Sequence, residues 1–167
     1  TEKRKLISVL GNMVTYHNGL KAAMQLDELF ELWKDDSSID RTELGEASTN
    51  IPKLHYKYYK HYAQERLTLK KLEAEYKSLY KDKWEYYQGN LADEDLKERN
   101  WDPFQLKVLK SDLSTYIDSD KDIINHMYKI EYQKEKIDFL DSVIRNINNR
   151  GFHIKNAIDW EKFKVGI

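Results

Sequence analysis

The chain has 167 residues, of which 34% are charged and 40% hydrophobic, with six Gly, two Pro and no Cys. So few turn residues among so many charges point to long solvent-facing helices and away from a sheet protein. The lack of Cys excludes disulfide frameworks, zinc ribbons and thiol catalysis. A net charge of −1 conceals alternating blocks: +3 over residues 1–23, −6 over 24–48, +5 over 53–83, −5 over 84–120 and +2 over 121–167.

The basic run Lys3-Arg4-Lys5 precedes an apolar stretch that Asn12, His17, Asn18 and Lys21 interrupt, so no secretory signal is expected. No window of 18 apolar residues exists, so no spanning helix is expected either. Asp27 to Trp33 reads as a short amphipathic helix with Leu26, Leu29, Phe30 and Trp33 on one face. Asp35-Asp36-Ser37-Ser38 interrupts it, and Ile39-Asp40-Arg41-Thr42 opens another short turn or helix.

Thr49 or Asn50 then offers an N-cap, with Pro52 in the first turn, where its missing N–H costs nothing. From there to Gln88 the sequence has no Gly or Pro. Tyr58, Tyr62, Leu69, Leu72, Tyr76 and Leu79 step by fours, sevens and threes, with Glu65 at the skipped position. Such a seam lets a long helix pack on a partner helix until Gly89-Asn90 stops it. Residues 90–103 read as an acidic connector with one turn of helix, anchored by Trp101 and Phe104; 104–116 suits a strand or a short helix equally.

Ser119 is the expected cap of a second long helix reaching Asn149. Its seam reads Ile123, Met127, Ile130, Lys134, Ile137, Asp141 and Ile144, widened by Ile124, Phe139, Leu140, Val143 and Ile147. Gly151 is the expected left-handed stop, and a last amphipathic helix follows with Phe152, Ile154, Ala157, Ile158, Trp160 and Phe163 on its apolar side. The fold class is therefore all-α, a long antiparallel helical hairpin with short flanking helices.

Motifs for catalysis are missing. His17, His55, His61, His126 and His153 lack zinc spacing, no glycine-rich loop could cradle a phosphate, and no serine sits in a nucleophile elbow. Asp93-Glu94-Asp95 reads as solvated surface more readily than as a metal site. The expectation is a protein that is not an enzyme, with no metal and no cofactor.

Residues 53–88 interleave cations and aromatics: Lys53, Lys57, Lys60, Arg66, Lys70, Lys71, Lys77, Lys81 and Lys83 among Tyr56, Tyr58, Tyr59, Tyr62, Tyr76, Tyr80, Trp84, Tyr86 and Tyr87. Single-stranded nucleic acid asks for this mixture, cations for phosphates and flat faces for unstacked bases. A helical projection puts Tyr58, Tyr62 and Tyr76 with Leu69 and Leu72 in the core, and Tyr56 and Tyr59 on the cationic side. Lys53, Lys57, Lys60 and Lys71 form one patch, while Arg66, Lys70, Lys77 and Lys81 lie about a quarter-turn away. Lys83 occupies a seam position that an apolar residue would serve better. A solvated helix face with pairs such as Lys71–Glu75 accounts for the same segment without nucleic acid.

At Lys81-Asp82-Lys83-Trp84-Glu85-Tyr86-Tyr87-Gln88-Gly89 and Asn149-Arg150-Gly151-Phe152-His153-Ile154-Lys155, the chain resembles the UvsY recombination mediators of tailed phages. The likeness extends through Asp159, Phe163 and Gly166, and back to Leu26-Asp27-Glu28-Leu29 and Ile39-Asp40, about Met24 to Gly166 in all. The resemblance implies a non-enzymatic protein in the cytoplasm of an infected bacterium. It would bind single-stranded DNA and assemble with itself into a ring of about six or seven subunits. It would loosen the single-strand-binding protein and nucleate a RecA-like recombinase, UvsX in that family.

Lys81 and Lys83 match the two cations of the family's K-x-R DNA-binding motif. Lys83 stands where the family has arginine, and Asp82 where it has a small residue. The expected DNA-binding residues are Lys81, Lys83, Lys77 and Lys70, followed by Lys57, Lys60, Tyr56 and Tyr59. Residues 1–23 have no family counterpart and are expected to be an extension, 24–150 the DNA-binding region and 151–167 the oligomerisation helix, anchored by Phe152, Ile154, Ile158 and Phe163. A helical scaffold that joins proteins and touches no nucleic acid is the rival reading; a hydrolase or nuclease using Asp93–Asp95 is a third.

Overall fold

The computed structural model describes residues 24–166, and every regular element there is a helix: α1 Leu26–Ser37, α2 Leu44–Thr49, α3 Ile51–Tyr87, α4 Asp93–Arg99, α5 Leu113–Asp118 and α6 Lys121–Lys164. The expected extension at 1–23 lies outside the described residues. The described residues divide into two units, with the boundary between Ser38 and Ile39.

In the first unit, α1 opens with a reciprocal cap. The Gln25 N–H donates to the Glu28 carboxylate at 2.7 Å, and the Gln25 side chain accepts from the backbone of Glu28. The helix outlasts its expected end at Trp33. Asp35, Asp36 and Ser37 stay helical, and the Ser37 and Ser38 hydroxyls close the last turn on the carbonyls of Lys34 and Asp35.

The second unit begins with a turn in which Asp40 accepts from both the N–H and the hydroxyl of Thr42, at 2.8 and 2.7 Å. After α2, the 37-residue α3 starts with Pro52 in its first turn and ends where Gly89 adopts φ +73°, a left-handed value that favours Gly. At 1.5 Å per residue α3 is about 55 Å long, and the 44-residue α6 about 66 Å.

These two helices pack along their length. Lys83 meets Asp120 and Asp122, the Leu72 carbonyl accepts from His126 Nε2 at 2.8 Å, and Glu65 meets Gln133 and Lys136. Residue numbers rise on one helix as they fall on the other, so the pairing is antiparallel. Tyr58 on α3 and Ile123, Ile130, Leu140, Val143 and Ile147 on α6 are buried, as are Leu113 and Ile117 on α5.

Three local expectations are corrected. The cap of α6 is Asp120, whose extended backbone lets its carboxylate accept from the N–H groups of Asp122 and Ile123; Ser119 instead closes the C-terminal end of α5, its hydroxyl donating to the carbonyls of Thr115 and Tyr116. Gly151 does not stop α6. A glycine inside a helix costs only about 1 kcal/mol relative to Ala, no proline follows it, and buried Arg150 and Ile154 hold the helix on either side.

The third correction is the register of the α6 seam. Gln133 and Lys136 lie inside, while the expected Lys134 is exposed and pairs with Glu131, and Met127 is also exposed. The polar layer explains the shift. Gln133 Nε2 donates to the backbone carbonyl of Glu65 at 2.9 Å and to its carboxylate, and Lys136 Nζ sits 2.8 Å from the same carboxylate. A buried acid, amide and ammonium that satisfy one another can occupy a seam that apolar periodicity assigns elsewhere.

Candidate nucleic-acid interface

The backbone of α3 sorts its charges by angle. Tyr58, Glu65 and Lys83 face α6 and are buried. At about 100° per residue, Arg66, Lys70, Lys77 and Lys81 point away from that face, and all four are exposed. Lys53, Lys60 and Lys71 form the second exposed patch. Along the axis, Lys53 to Lys81 span about 42 Å. Two of these cations have exposed acidic neighbours, Lys71–Glu75 at 3.8 Å and Lys81–Glu85 at 3.7 Å. Such solvated pairs bind weakly and leave the ammonium free to exchange partners.

Lys81 and Lys83 lie two residues apart and part company. The Lys81 side chain is 74% exposed, that of Lys83 only 4%. Lys83 Nζ lies 3.0 Å from Asp120 and 2.7 Å from Asp122, and 3.7 Å from the centroid of the Trp101 ring. Its charge is satisfied inside the chain. A phosphate reaching it would have to displace two carboxylates and enter a closed site, so the expected direct DNA contact at Lys83 does not match this geometry. The sequence signals the conflict only as a lysine at a seam position; its partners, Asp120 and Asp122 at the start of the next long helix, come from the tertiary packing.

The site around Lys83 joins four elements. Tyr87 OH donates to Asp120 at 2.8 Å, Trp101 Nε1 to Asp122 at 3.1 Å, and Tyr86 OH to the Asp102 carbonyl at 2.8 Å. Phe104 packs edge-on to Tyr87, and Tyr116 lies against both rings. Trp101 and Phe104 thus anchor the connector as expected. Burial opposes ionisation of Asp120, but hydrogen bonds from Lys83, Tyr87 and the Asp122 N–H overcome it and hold the carboxyl below the usual range. Burial, and then its bond to Asp120, push the Tyr87 hydroxyl far up. On the outer rim Arg99 pairs with Asp82 at 2.7 Å.

The remaining candidates fall into two groups. Tyr56 and Tyr59 are exposed, with Tyr59 stacked on His55 at a centroid distance of 5.8 Å. Lys57 is half-buried, its Nζ 5.7 Å from the Tyr58 ring, while Lys60 is exposed. Asp93, Glu94 and Asp95 form the first turn of α4, where acids suit the helix dipole, and Asp95 also faces Arg99. Among the described residues no acidic or histidine cluster has the arrangement of a metal site.

At the carboxyl end of α6, Phe152 and Phe163 are exposed and Ile158 half-buried, whereas Ile154 is 3% exposed and already covered within the chain. Trp160 stacks on Phe163 with centroids 5.7 Å apart. Of the four anchors expected there, Ile154 alone has its apolar surface spent on the chain's own packing.

A family profile described as "Recombination, repair and ssDNA binding protein UvsY" matches residues 32–167. The chain belongs to the UvsY family. It is 29% identical over 143 residues to the recombination protein UvsY of Enterobacteria phage T4, covering 86% of this chain and 99% of that one. Crystal structures of the bacteriophage T4 recombination mediator protein UvsY superpose with a TM-score of 0.73 in two lattice types. One pairs at 28% identity over 86% of this chain and 99% of that chain, the other at 26% over 84% and 99%. The helices and the antiparallel α3–α6 pairing thus belong to a member of this recombination and repair family of phage proteins. No helix among the described residues is long and apolar enough to cross a membrane.

Proposed function

We propose that the chain is a recombination mediator that binds single-stranded DNA along the outer face of α3. It loosens a single-strand-binding protein on that strand and promotes loading of a RecA-like recombinase, with no catalytic step of its own, in the cytoplasm of the infected bacterium. The observation that carries this reading is the exposed row of Arg66, Lys70, Lys77 and Lys81 on a helix of a UvsY-family chain. Phosphate neutralisation by such a row gives affinity without sequence preference.

Lys70, Lys77 and Lys81 are the principal contacts. Lys57 and Lys60, with stacking from Tyr56 or Tyr59, form a second patch toward the start of α3. Lys83 serves the interface from inside, fixing the end of α3 on α6. Residues 24–150 form the DNA-binding region as an antiparallel hairpin with short flanking helices, and 151–167, of which the part up to Lys164 lies within α6, form the self-association segment.

One copy with net charge −1 offers only a few free cations. A homo-oligomeric ring of about six or seven copies repeats the row, and linked weak sites gain effective concentration. Phe152, Ile158 and Phe163 supply the apolar surface that such an assembly covers. The acidic stretches 24–48 and 84–120 then confine a strand to the basic surface.

The test is titration of fluorescent oligo-dT at several salt concentrations, with light scattering on the same sample. Tight binding by an oligomer, falling steeply with salt, supports the reading. An assembly that ignores oligo-dT in dilute buffer returns the chain to the scaffold reading.

A further inference from the structure

On the structure's own geometry, we infer that Trp84 is a base-stacking residue at the end of the α3 cation row; the inference rests on the single-stranded-DNA reading above and adds a residue to it. Trp84 follows Lys81 by three positions and Lys77 by seven, the spacings that place side chains on one helix face. At about 100° per residue, Arg66, Lys70, Lys77, Lys81 and Trp84 fall within a sector of about 60° that runs along about 27 Å of the helix.

The other tryptophans described in the second unit are occupied. Trp101 lies under the Lys83 ammonium with its N–H on Asp122, and Trp160 stacks on Phe163. Trp84 is 44% exposed, and among the described residues its ring meets no other ring and no cation, and its N–H no acceptor. An isolated exposed aromatic is ordinary on a protein surface. One at the end of a row of exposed cations, with an open face, has the composition of a site where a strand's phosphates run along the lysines and a base lies flat on the indole. Charge complementarity selects the occupant, since the four cations beside it attract a polyanion.

Stacking and phosphate neutralisation leave different signatures. Trp84→Ala should weaken oligo-dT binding about tenfold with an unchanged slope against salt, because the indole neutralises no phosphate. Trp84→Phe should recover most of the affinity while losing the part of the intrinsic fluorescence quenching that oligo-dT produces in the wild type. Both variants should keep the helicity of the parent by circular dichroism, since the ring is half in solvent.

Binding and quenching in Trp84→Ala equal to wild type would overturn the proposal. So would loss of binding accompanied by a smaller particle in light scattering, which would put the indole in a subunit interface. A wild-type assembly that binds no oligo-dT at all defeats the function reading itself, and is told apart because no variant is needed to see it.

Discussion

Lys81 and Lys83 carry the same charge on the same helix two residues apart, and the fold gives them opposite work. A rotation of about 200° turns one to water and the other into α6. Lys81 keeps a loose partner in Glu85, while Lys83 is enclosed by Asp120, Asp122 and Trp101. Composition counts both as cations available to DNA. Only the outer one is accessible, so the useful charge of a basic segment is set by the helix angle at which its lysines emerge.

The inner charges should dominate stability. Lys136→Met leaves the Glu65 carboxylate buried without its ion-pair partner, and should cost about 3–5 kcal/mol, read as a fall in the urea midpoint. Combining it with Glu65→Leu removes the orphaned charge and should restore much of that loss. A single variant as stable as wild type would show that water reaches the layer. Lys83→Met should cost somewhat less, about 2–3 kcal/mol, because Asp122 is half in solvent and can be hydrated.

The same cluster gives an acid dependence whose sign follows from Asp120. Its folded carboxyl ionises below the ordinary value, so the folded state binds the proton less readily than the unfolded chain. The stability it contributes is complete above about pH 4 and is lost as pH falls through the lower folded value. Comparing urea midpoints of wild type and Asp120→Asn from pH 6 to pH 3 should show a shallower acid loss in the variant. Equal curves would remove Asp120 from the account.

The outer charges should barely affect folding. Lys81→Ala should change stability by less than about 0.5 kcal/mol, while lowering the salt slope of oligo-dT binding by about 0.7 for each phosphate left without its cation. A large stability loss in that variant would erase the distinction between the two lysines.

Much of α3 was legible in the sequence because its signals are local. Pro52 and Gly89 mark its ends through backbone constraints, and Tyr58 falls on the seam that apolar spacing defines. What was hidden depends on residues far apart in the chain. Gln133 and Lys136 enter the core because Glu65, nearly seventy positions earlier, satisfies them, and no single-helix period contains that information. Lys83 was conspicuous as a seam lysine, but its partners became evident only when the start of α6 was brought to it. Gly151 misled for a different reason: a weak helix breaker is outvoted by packing on both sides. Of the candidate site, the row Lys70, Lys77 and Lys81 could be read from angle alone, whereas the closure of Lys83 and the covering of Ile154 required tertiary packing.

The most direct test is the salt dependence of oligo-dT binding by the Lys70→Ala/Lys77→Ala/Lys81→Ala protein beside that of wild type, with light scattering to hold the assembly state fixed. If the outer face of α3 carries the strand, the slope of log affinity against log salt should fall by about 2 or more at unchanged particle mass. An unaltered slope in the triple variant, with the loss appearing instead in Lys83→Met protein that remains folded, would contradict it.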